Sequence, residues 1–152
     1  MTQQAFLARC KSLHELLQRI PSGLLRALVL HAGCPKAKVK DLASLKLLQA
    51  LYNIVERLNQ YQEAPDAFLS ANEPAGWSDR NMVLAPLFLN NDLRIADAHE
   101  AFANALAGLQ DRGFDIAAVN AGYGTALDFV LDGVIASVSR IADAIEKLLG
   151  RA

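Results

Sequence analysis

The sequence predicts an all-α fold, a bundle of about five helices that pack up and down. Hydrophobic residues make up 53% of the chain but aromatic residues only 7%, and leucine and alanine, which favour helices, are abundant. Apolar residues also recur at intervals of three and four residues over long stretches, which is the spacing of one helix face. The length of 152 residues suits a single domain, 1–152, with a core of its own.

Two helices are predicted in the first third of the chain. Residues 3–20 carry apolar side chains at helical spacing, and Pro21 ends this helix. Ser22 is a suitable N-cap for a second helix, 23–32, which Gly33 terminates. Both helices therefore have start or stop signals at the expected places.

His14 and His31 lie on these two helices, and both are interpreted as structural. His31 is near the end of the second helix, where an imidazole interacts favourably with the last carbonyl groups. His14 falls on the polar side of the first helix. Neither histidine is therefore assigned to a functional site.

Lys36, Lys38 and Lys40 form a small basic cluster before the third helix. The simpler interpretation is a solvated loop, and the alternative is a substrate-binding patch that contacts phosphate groups. Asp41 is a suitable N-cap for the third helix, 41–62, which has apolar residues at helical spacing.

Residues 63–79 interrupt the helical pattern. Pro65, Pro74 and Gly76 predict a long connection, and such a loop usually carries a function or covers another part of the protein. Trp77 could stack on a nucleobase, but a single tryptophan in a loop more often closes the end of a bundle. We therefore favour the structural interpretation of this loop.

The fourth predicted helix covers residues 82–112, and the last helix covers 125–149 after a glycine-containing turn. The last helix has an apolar seam with spacings of four and three residues, which predicts packing against a near-parallel or antiparallel helix. The seam consists of Leu127, Leu131, Val134, Val138, Ile141, Ile145 and Leu148.

Charge and cysteine content limit the classes of function. The net charge is −1, so the protein has no overall positive field to gather nucleic acid, and an RNA ligand would need a local site. Cys10 and Cys34 do not have the spacing of a metal site. We expect no metal and no cofactor.

The sequence also predicts a cytoplasmic protein, or a domain of a longer one. Arg9, Lys11 and Glu15 interrupt the apolar run that a signal peptide would need. The apolar stretch 83–89 contains Pro86 and is too short to span a bilayer. We therefore expect no contact with a membrane.

Residues 90–99 combine an arginine, a histidine, two acids and two amides in an otherwise apolar region. Four residues separate Arg94 from His99 within the predicted fourth helix. This spacing resembles the R-x(4–6)-H motif of the HEPN superfamily, small all-helical domains many of which are metal-independent ribonucleases. The resemblance covers the whole chain at the level of the fold, but only these two residues at the level of chemistry.

The resemblance implies a homodimer in which the motif-bearing helices face each other and Arg94 and His99 form a composite catalytic site. The histidine would take the 2′-hydroxyl proton or donate one to the leaving oxygen, and the arginine would stabilise charge on phosphorus. It also implies a toxin or defence setting, with an antitoxin or a larger protein as neutralising partner. Ile95 departs from the pattern, because many members have a polar residue there.

Three neighbours are candidate supporting residues. Asp97 could hold the Arg94 guanidinium, because side chains three residues apart meet on a helix. Asp92 is two helical turns from His99 and is expected to reach the partner's site in a dimer. Asn91 lies on the packed stripe of the helix and needs a polar partner, either water or the other subunit.

Two other interpretations compete with a ribonuclease. In the first, the chain is a non-catalytic domain that dimerises or docks onto a larger protein through the seam of its last helix. Arg94 and Asp97 would then form a surface ion pair of little energetic consequence. In the second, Trp77, His99 and Tyr123 line a pocket for a small molecule, an interpretation that no motif supports.

Overall fold

A computed structural model describes residues 1–96 and 99–152, and all regular structure in these residues is helical. The predicted all-α class is therefore confirmed. The helices are α1 Gln3–Leu17, α2 Ser22–His31, α3 Lys36–Val39, α4 Ser44–Gln60, α5 Ala85–Arg94, α6 His99–Asp111 and α7 Gly124–Leu149. Short 3-10 turns lie at Pro65–Phe68, Met82–Leu84 and Ile116–Ala121.

These helices divide into two compact units. The first consists of Met1–Arg19 and Ala85–Ser137, and the second of Ile20–Leu84 and Val138–Ala152. Helix α7 contributes residues to both units. No helix in the described part of the chain has the length and apolar character needed to cross a membrane.

In the first unit, α1 packs against α5, and α5 packs against α6. Phe6 is fully buried, and its ring stacks on Tyr123 with a centroid distance of 5.5 Å. Phe102 of α6 contacts the same tyrosine ring at 5.9 Å. Tyr123 therefore joins α1 and α6 through aromatic contacts, which gives it a structural role.

In the second unit, α2 packs against α4, and the loop after α4 folds back onto that helix. Asn53 of α4 donates hydrogen bonds to the carbonyl oxygens of Trp77 and Asp79 at 3.0 and 2.8 Å. Trp77 is buried, and its indole N–H donates to Glu73 at 2.8 Å. The loop is thus held by its own polar contacts, and Trp77 is not exposed for stacking on a base.

Gly33 allows this loop to approach the end of α2. Its φ angle is +99°, and a Cβ atom at this position would collide with the backbone carbonyl group of Asn72. Only glycine satisfies both the left-handed backbone and the close approach. Gly33, which was predicted to end the second helix, therefore also allows the loop to lie against α2.

The predicted fourth helix, 82–112, is wrong as a single helix. Helix α5 ends at Arg94, and Ile95 and Ala96 are not helical. The N–H of Ala96 donates to the carbonyl oxygen of Leu93 at 3.2 Å, a three-residue bond that tightens the end of a helix. Leu93 and Ala96 are both buried, so the apolar spacing continues past the break and does not reveal it.

The cluster of lysines is also not the loop that was predicted. Lys36 and Lys38 lie in the short helix α3, which Pro35 precedes and the fully buried Val39 anchors. Helix α4 begins at Ser44 rather than at the predicted cap Asp41. The predicted boundaries therefore fail where a short helix packs through a single apolar side chain.

The buried face of α7 includes three of the seven residues of the predicted seam. Val134, Ile141 and Leu148 are buried as expected, but Val138 is 43% exposed. Helices that pack within a fold keep about 3.6 residues per turn, so the buried face drifts away from a strict 3.5-residue repeat. The buried residues of this helix are Ala126, Val130, Val134, Ser137, Ile141 and Leu148.

Candidate functional site

Arg94 is the last residue of α5, and its side chain is partly buried. Its Nε donates a hydrogen bond to Oδ1 of Asn91, one helical turn earlier, at 2.8 Å. Among the described residues, none accepts a hydrogen bond from Nη1 or Nη2, and no carboxylate forms a salt bridge with this arginine. A neutral amide therefore orients the guanidinium, and no described carboxylate compensates its charge.

This contact provides the partner that Asn91 was expected to need from water or another subunit. The amide oxygen accepts from Arg94, so Asn91 is a positioning residue for the guanidinium. Asp97, which was predicted to hold Arg94, lies outside the described residues. Its proposed contact stays a prediction.

His99 is exposed at the first position of α6, whereas Arg94 closes α5. The two residues of the motif therefore lie on different helices, and the prediction that both lie within one helix is wrong. Asp92 is exposed on α5, and partial loss of water around its carboxyl group raises the pKa of Asp92. It makes no described hydrogen bond to Arg94 or His99.

His14 is the residue that the sequence analysis missed. It lies on α1, it is 5% exposed, and its Nδ1 is buried without a hydrogen-bond partner among the described residues. Burial lowers the pKa of His14, the charge of Arg94 lowers it further, and Glu15 acts in the opposite direction. Burial and the charge of Arg94 therefore both favour the neutral form of the His14 imidazole.

A simple signal in the sequence could have identified His14. The buried residues of α1 are Phe6, Cys10 and His14, each four residues after the one before. This spacing places the histidine on the apolar face of the helix, not on its polar side. A buried polar group at such a position needs an explanation.

Asn90 connects the two helices that carry His14 and Arg94. It is fully buried, and its Nδ2 donates to the carbonyl oxygen of Cys10 on α1 at 3.1 Å. Its Oδ1 has no hydrogen-bond partner among the described residues. Cys10 lies one helical turn before His14 on α1, and Asn90 lies one turn before Arg94 on α5.

The lysine cluster is only partly available to a ligand. Lys38 forms an exposed salt bridge with Glu73 at 3.2 Å, and the same carboxylate accepts from Trp77. These two hydrogen bonds lower the pKa of Glu73, that of Trp77 having the larger effect. Lys36 and Lys40 are exposed. Their predicted role in substrate binding stays a prediction.

A second surface feature is an exposed apolar stripe along α7. Ile135 is 61% exposed and Leu149 is 59% exposed, and the stripe has spacings of four, three, four, three and four residues. This is the spacing of a helix that packs against another helix. The exposed residues of this α7 stripe are Ile135, Val138, Ala142 and Leu149, and its half-buried residues are Leu131 and Ile145.

Comparisons of the chain with known protein families, with curated proteins and with solved structures find no match. Among residues 1–96 and 99–152, no His, Cys, Asp or Glu side chains cluster in threes to hold a metal ion. The Arg94 guanidinium, oriented by Asn91, is a group that suits the binding of an anion.

Proposed function

We propose that the chain is a HEPN-like, metal-independent endoribonuclease or RNA-binding domain. The supporting observation is that Asn91 holds the Nε of Arg94 and no described carboxylate neutralises the guanidinium. Nη1 and Nη2 of Arg94 form a pair of donors that fits two oxygens of one phosphate group. The phosphodiester of RNA is an anion of this shape and charge.

In this proposal Arg94 and His99 share the chemistry of cleavage. Arg94 stabilises the negative charge that develops on phosphorus when the 2′-hydroxyl attacks. His99, which is exposed at the start of α6, takes the proton of that hydroxyl or donates one to the leaving 5′-oxygen. Both roles need a side chain that a substrate can reach, and neither residue is buried.

The proposal includes a homodimer with a composite site and an up-down arrangement of the helices. Ile95, between the two residues of the motif, is 53% exposed and supplies an apolar contact for a second copy. Asp92 is exposed on the same segment and would face the partner's site. A cytoplasmic toxin or defence protein of this kind would also have an antitoxin or a larger protein as partner.

The alternative function is a non-catalytic helical dimerisation or protein-interaction domain. The α7 stripe favours it, because solvent-exposed isoleucine and leucine at coiled-coil spacing are typical of a helix that binds another helix. In this case Ile135 and Val138, rather than Arg94 and His99, would carry the function. The two functions therefore predict different effects of substitutions at these residues.

Cleavage of RNA in the presence of EDTA distinguishes the two functions. The proteins compared are wild type, Arg94→Ala, His99→Ala and Arg112→Ala, the last being a control at an exposed arginine of the same unit. Activity that survives EDTA and is lost only in the first two variants supports the ribonuclease. If the wild-type protein neither cleaves nor binds RNA, the ribonuclease and RNA-binding proposal is refuted and the interaction domain is favoured.

A further inference from the structure

The α7 stripe is an apolar surface that no described part of the chain covers. Ile135 and Leu149 are 61% and 59% exposed, and Val138 is 43% exposed. All residues of the stripe belong to the single helix Gly124–Leu149, and their spacing is that of a helix that packs against another helix. An apolar face of this shape is therefore suited to a helical partner, which would remove it from water.

Four carboxylates lie along one side of this stripe. At ~100° per residue, they are placed about 60–120° around the helix from the centre of the stripe, all on the same side. They are exposed, and no described salt bridge involves any of them. The cations of this helix, Arg140 and Lys147, lie about 160–180° from the stripe and cannot border it. The residues of this acidic flank are Asp128, Asp132, Asp143 and Glu146.

The other side of the stripe is not available to a partner. It is formed by Val134, Ile141 and Leu148, which are 3%, 8% and 5% exposed because they pack within the fold. A second helix on the stripe would therefore meet charged side chains on one side only, and all of them are negative. The charges that border an apolar seam select its partner, so this partner should carry cations there.

Two copies of this chain would pair poorly through the stripe. In an antiparallel pair each helix presents the same side to its partner, so the two acidic flanks would face each other and repel. In a parallel pair each acidic flank would face the buried side of the second helix, which offers Val134 and Ile141 and no cation. Neither arrangement gives the carboxylates an oppositely charged partner.

We propose that the α7 stripe binds an amphipathic helix of another protein, one whose apolar seam is bordered by lysine or arginine. The seam of that helix covers Ile135, Val138 and Leu149, and its cations meet the acidic flank. Apolar burial supplies most of the affinity, because exposed ion pairs contribute little, and the charges determine which helix binds. This interaction goes beyond the proposed chemistry on RNA and does not depend on it.

The test uses two synthetic peptides that differ only in charge. Each is about three heptads long, the length of the stripe, with leucine and isoleucine at the a and d positions. One peptide carries lysine at the flanking e and g positions and the other carries glutamate, so each repels its own copies. Fluorescence anisotropy of the labelled peptides measures their dissociation constants, and circular dichroism checks that each protein is folded.

The proteins compared are wild type, a charge-reversed variant, a control and an apolar variant. The charge-reversed variant is Asp132→Lys with Glu146→Lys, in the acidic flank. The control is Glu63→Lys with Asp111→Lys, which makes the same change in net charge at exposed carboxylates outside α7. The apolar variant is Ile135→Ser, which removes one exposed side chain of the stripe.

Wild type and the control should bind the lysine peptide about tenfold more tightly than the glutamate peptide, and the charge-reversed variant should prefer the glutamate peptide. Ile135→Ser should weaken binding of the lysine peptide about five- to tenfold. Binding of neither peptide, equal binding of both, or an unchanged preference in the charge-reversed variant would overturn the proposal. Should that variant not fold, the wild-type preference is measured at low and high salt, and a preference that salt leaves unchanged would overturn the proposal.

The same Ile135→Ser variant distinguishes the other possible occupants of the stripe. Light scattering measures the mass of each protein, and sedimentation with vesicles of phosphatidylcholine and phosphatidylglycerol measures lipid binding. We expect Ile135→Ser to change neither. A dimer that this variant converts to a monomer, or vesicle binding that it abolishes, would assign the stripe to a second copy or to a lipid surface and overturn the proposal.

Discussion

The buried amide of Asn90 donates a hydrogen bond to the carbonyl oxygen of Cys10 at 3.1 Å, and this bond joins α5 to α1. Asn90 lies one turn before Arg94, and Cys10 lies one turn before His14. The bond therefore sets how the helix with the motif arginine lies against the helix with the buried histidine. Its loss is expected to affect both stability and the site.

Asn90→Ala is expected to lower the free energy of unfolding by about 1–3 kcal/mol, because it removes a buried hydrogen bond and leaves a void. Urea unfolding followed by circular dichroism measures the change. Asn120→Ala is the control, since Asn120 is exposed in the same unit. Equal stability of the two variants would show that the bond to Cys10 contributes nothing to the fold.

Asn91→Ala is expected to weaken RNA binding by about five- to tenfold, the equivalent of a hydrogen bond of about 1 kcal/mol. Arg94 keeps its charge in this variant but loses the acceptor that orients its Nε. Fluorescence polarisation with a labelled RNA measures affinity, and thermal melting checks that the fold is intact. Unchanged affinity in a folded variant would show that the orientation of Arg94 is unimportant for binding.

The stability of the protein is expected to fall as the pH drops below about 6.5, the ordinary pKa of histidine. Burial lowers the pKa of His14 in the folded state, so in this range the unfolded chain binds a proton that the folded chain does not. The stabilising contribution is complete above pH 6.5 and is lost as the pH falls towards the folded-state pKa.

Urea unfolding at pH 7.5 and pH 5 measures this difference in wild type, His14→Gln and His31→Gln. His14→Gln removes the buried imidazole, and His31→Gln removes an exposed imidazole on α2, so the two variants distinguish their contributions to the pH dependence. The acid-dependent loss should be smaller in His14→Gln and unchanged in His31→Gln. The same loss in both variants would assign it to other groups.

Both cysteines are expected to resist thiol reagents at pH 8 in the folded protein. Burial raises the pKa of Cys10 to about 12 and that of Cys34 to about 11, and Glu73 adds to the second shift. The reactive thiolate form is therefore scarce at this pH, and access is blocked as well. Labelling with Ellman's reagent should reach two thiols only after denaturation, and rapid labelling of the native protein would contradict this.

Ile135→Glu tests whether the α7 stripe binds a second copy. If it does, the charged side chain should convert a dimer into a monomer with little change in the stability of the monomer, because Ile135 is 61% exposed. Light scattering after size-exclusion chromatography measures the mass. Ala136→Glu adds the same charge at an exposed neighbouring position outside the stripe. A wild-type monomer, or a dimer that persists in Ile135→Glu, would exclude this interface.

Local patterns were sufficient for some of these features. Apolar spacing and composition predict the all-α class, and α1, α2 and α7 lie within a few residues of the predicted 3–20, 23–32 and 125–149. Arg94 also stood out by its polar neighbours, one of which, Asn91, does contact it. Helix propensity and short-range side-chain contacts depend on residues close in sequence, so they can be inferred without the fold.

The tertiary structure decided which residues surround Arg94. The chain ends α5 at Arg94 and begins α6 at His99, which separates the two residues of the motif. It also packs α1, which carries the buried His14, against α5, which carries Arg94. Neither result follows from local spacing. Apolar side chains keep a helical spacing across the break, so the spacing does not reveal where α5 ends. The pairing of α1 with α5 joins segments about eighty residues apart, and their burial depends on packing rather than on helix propensity.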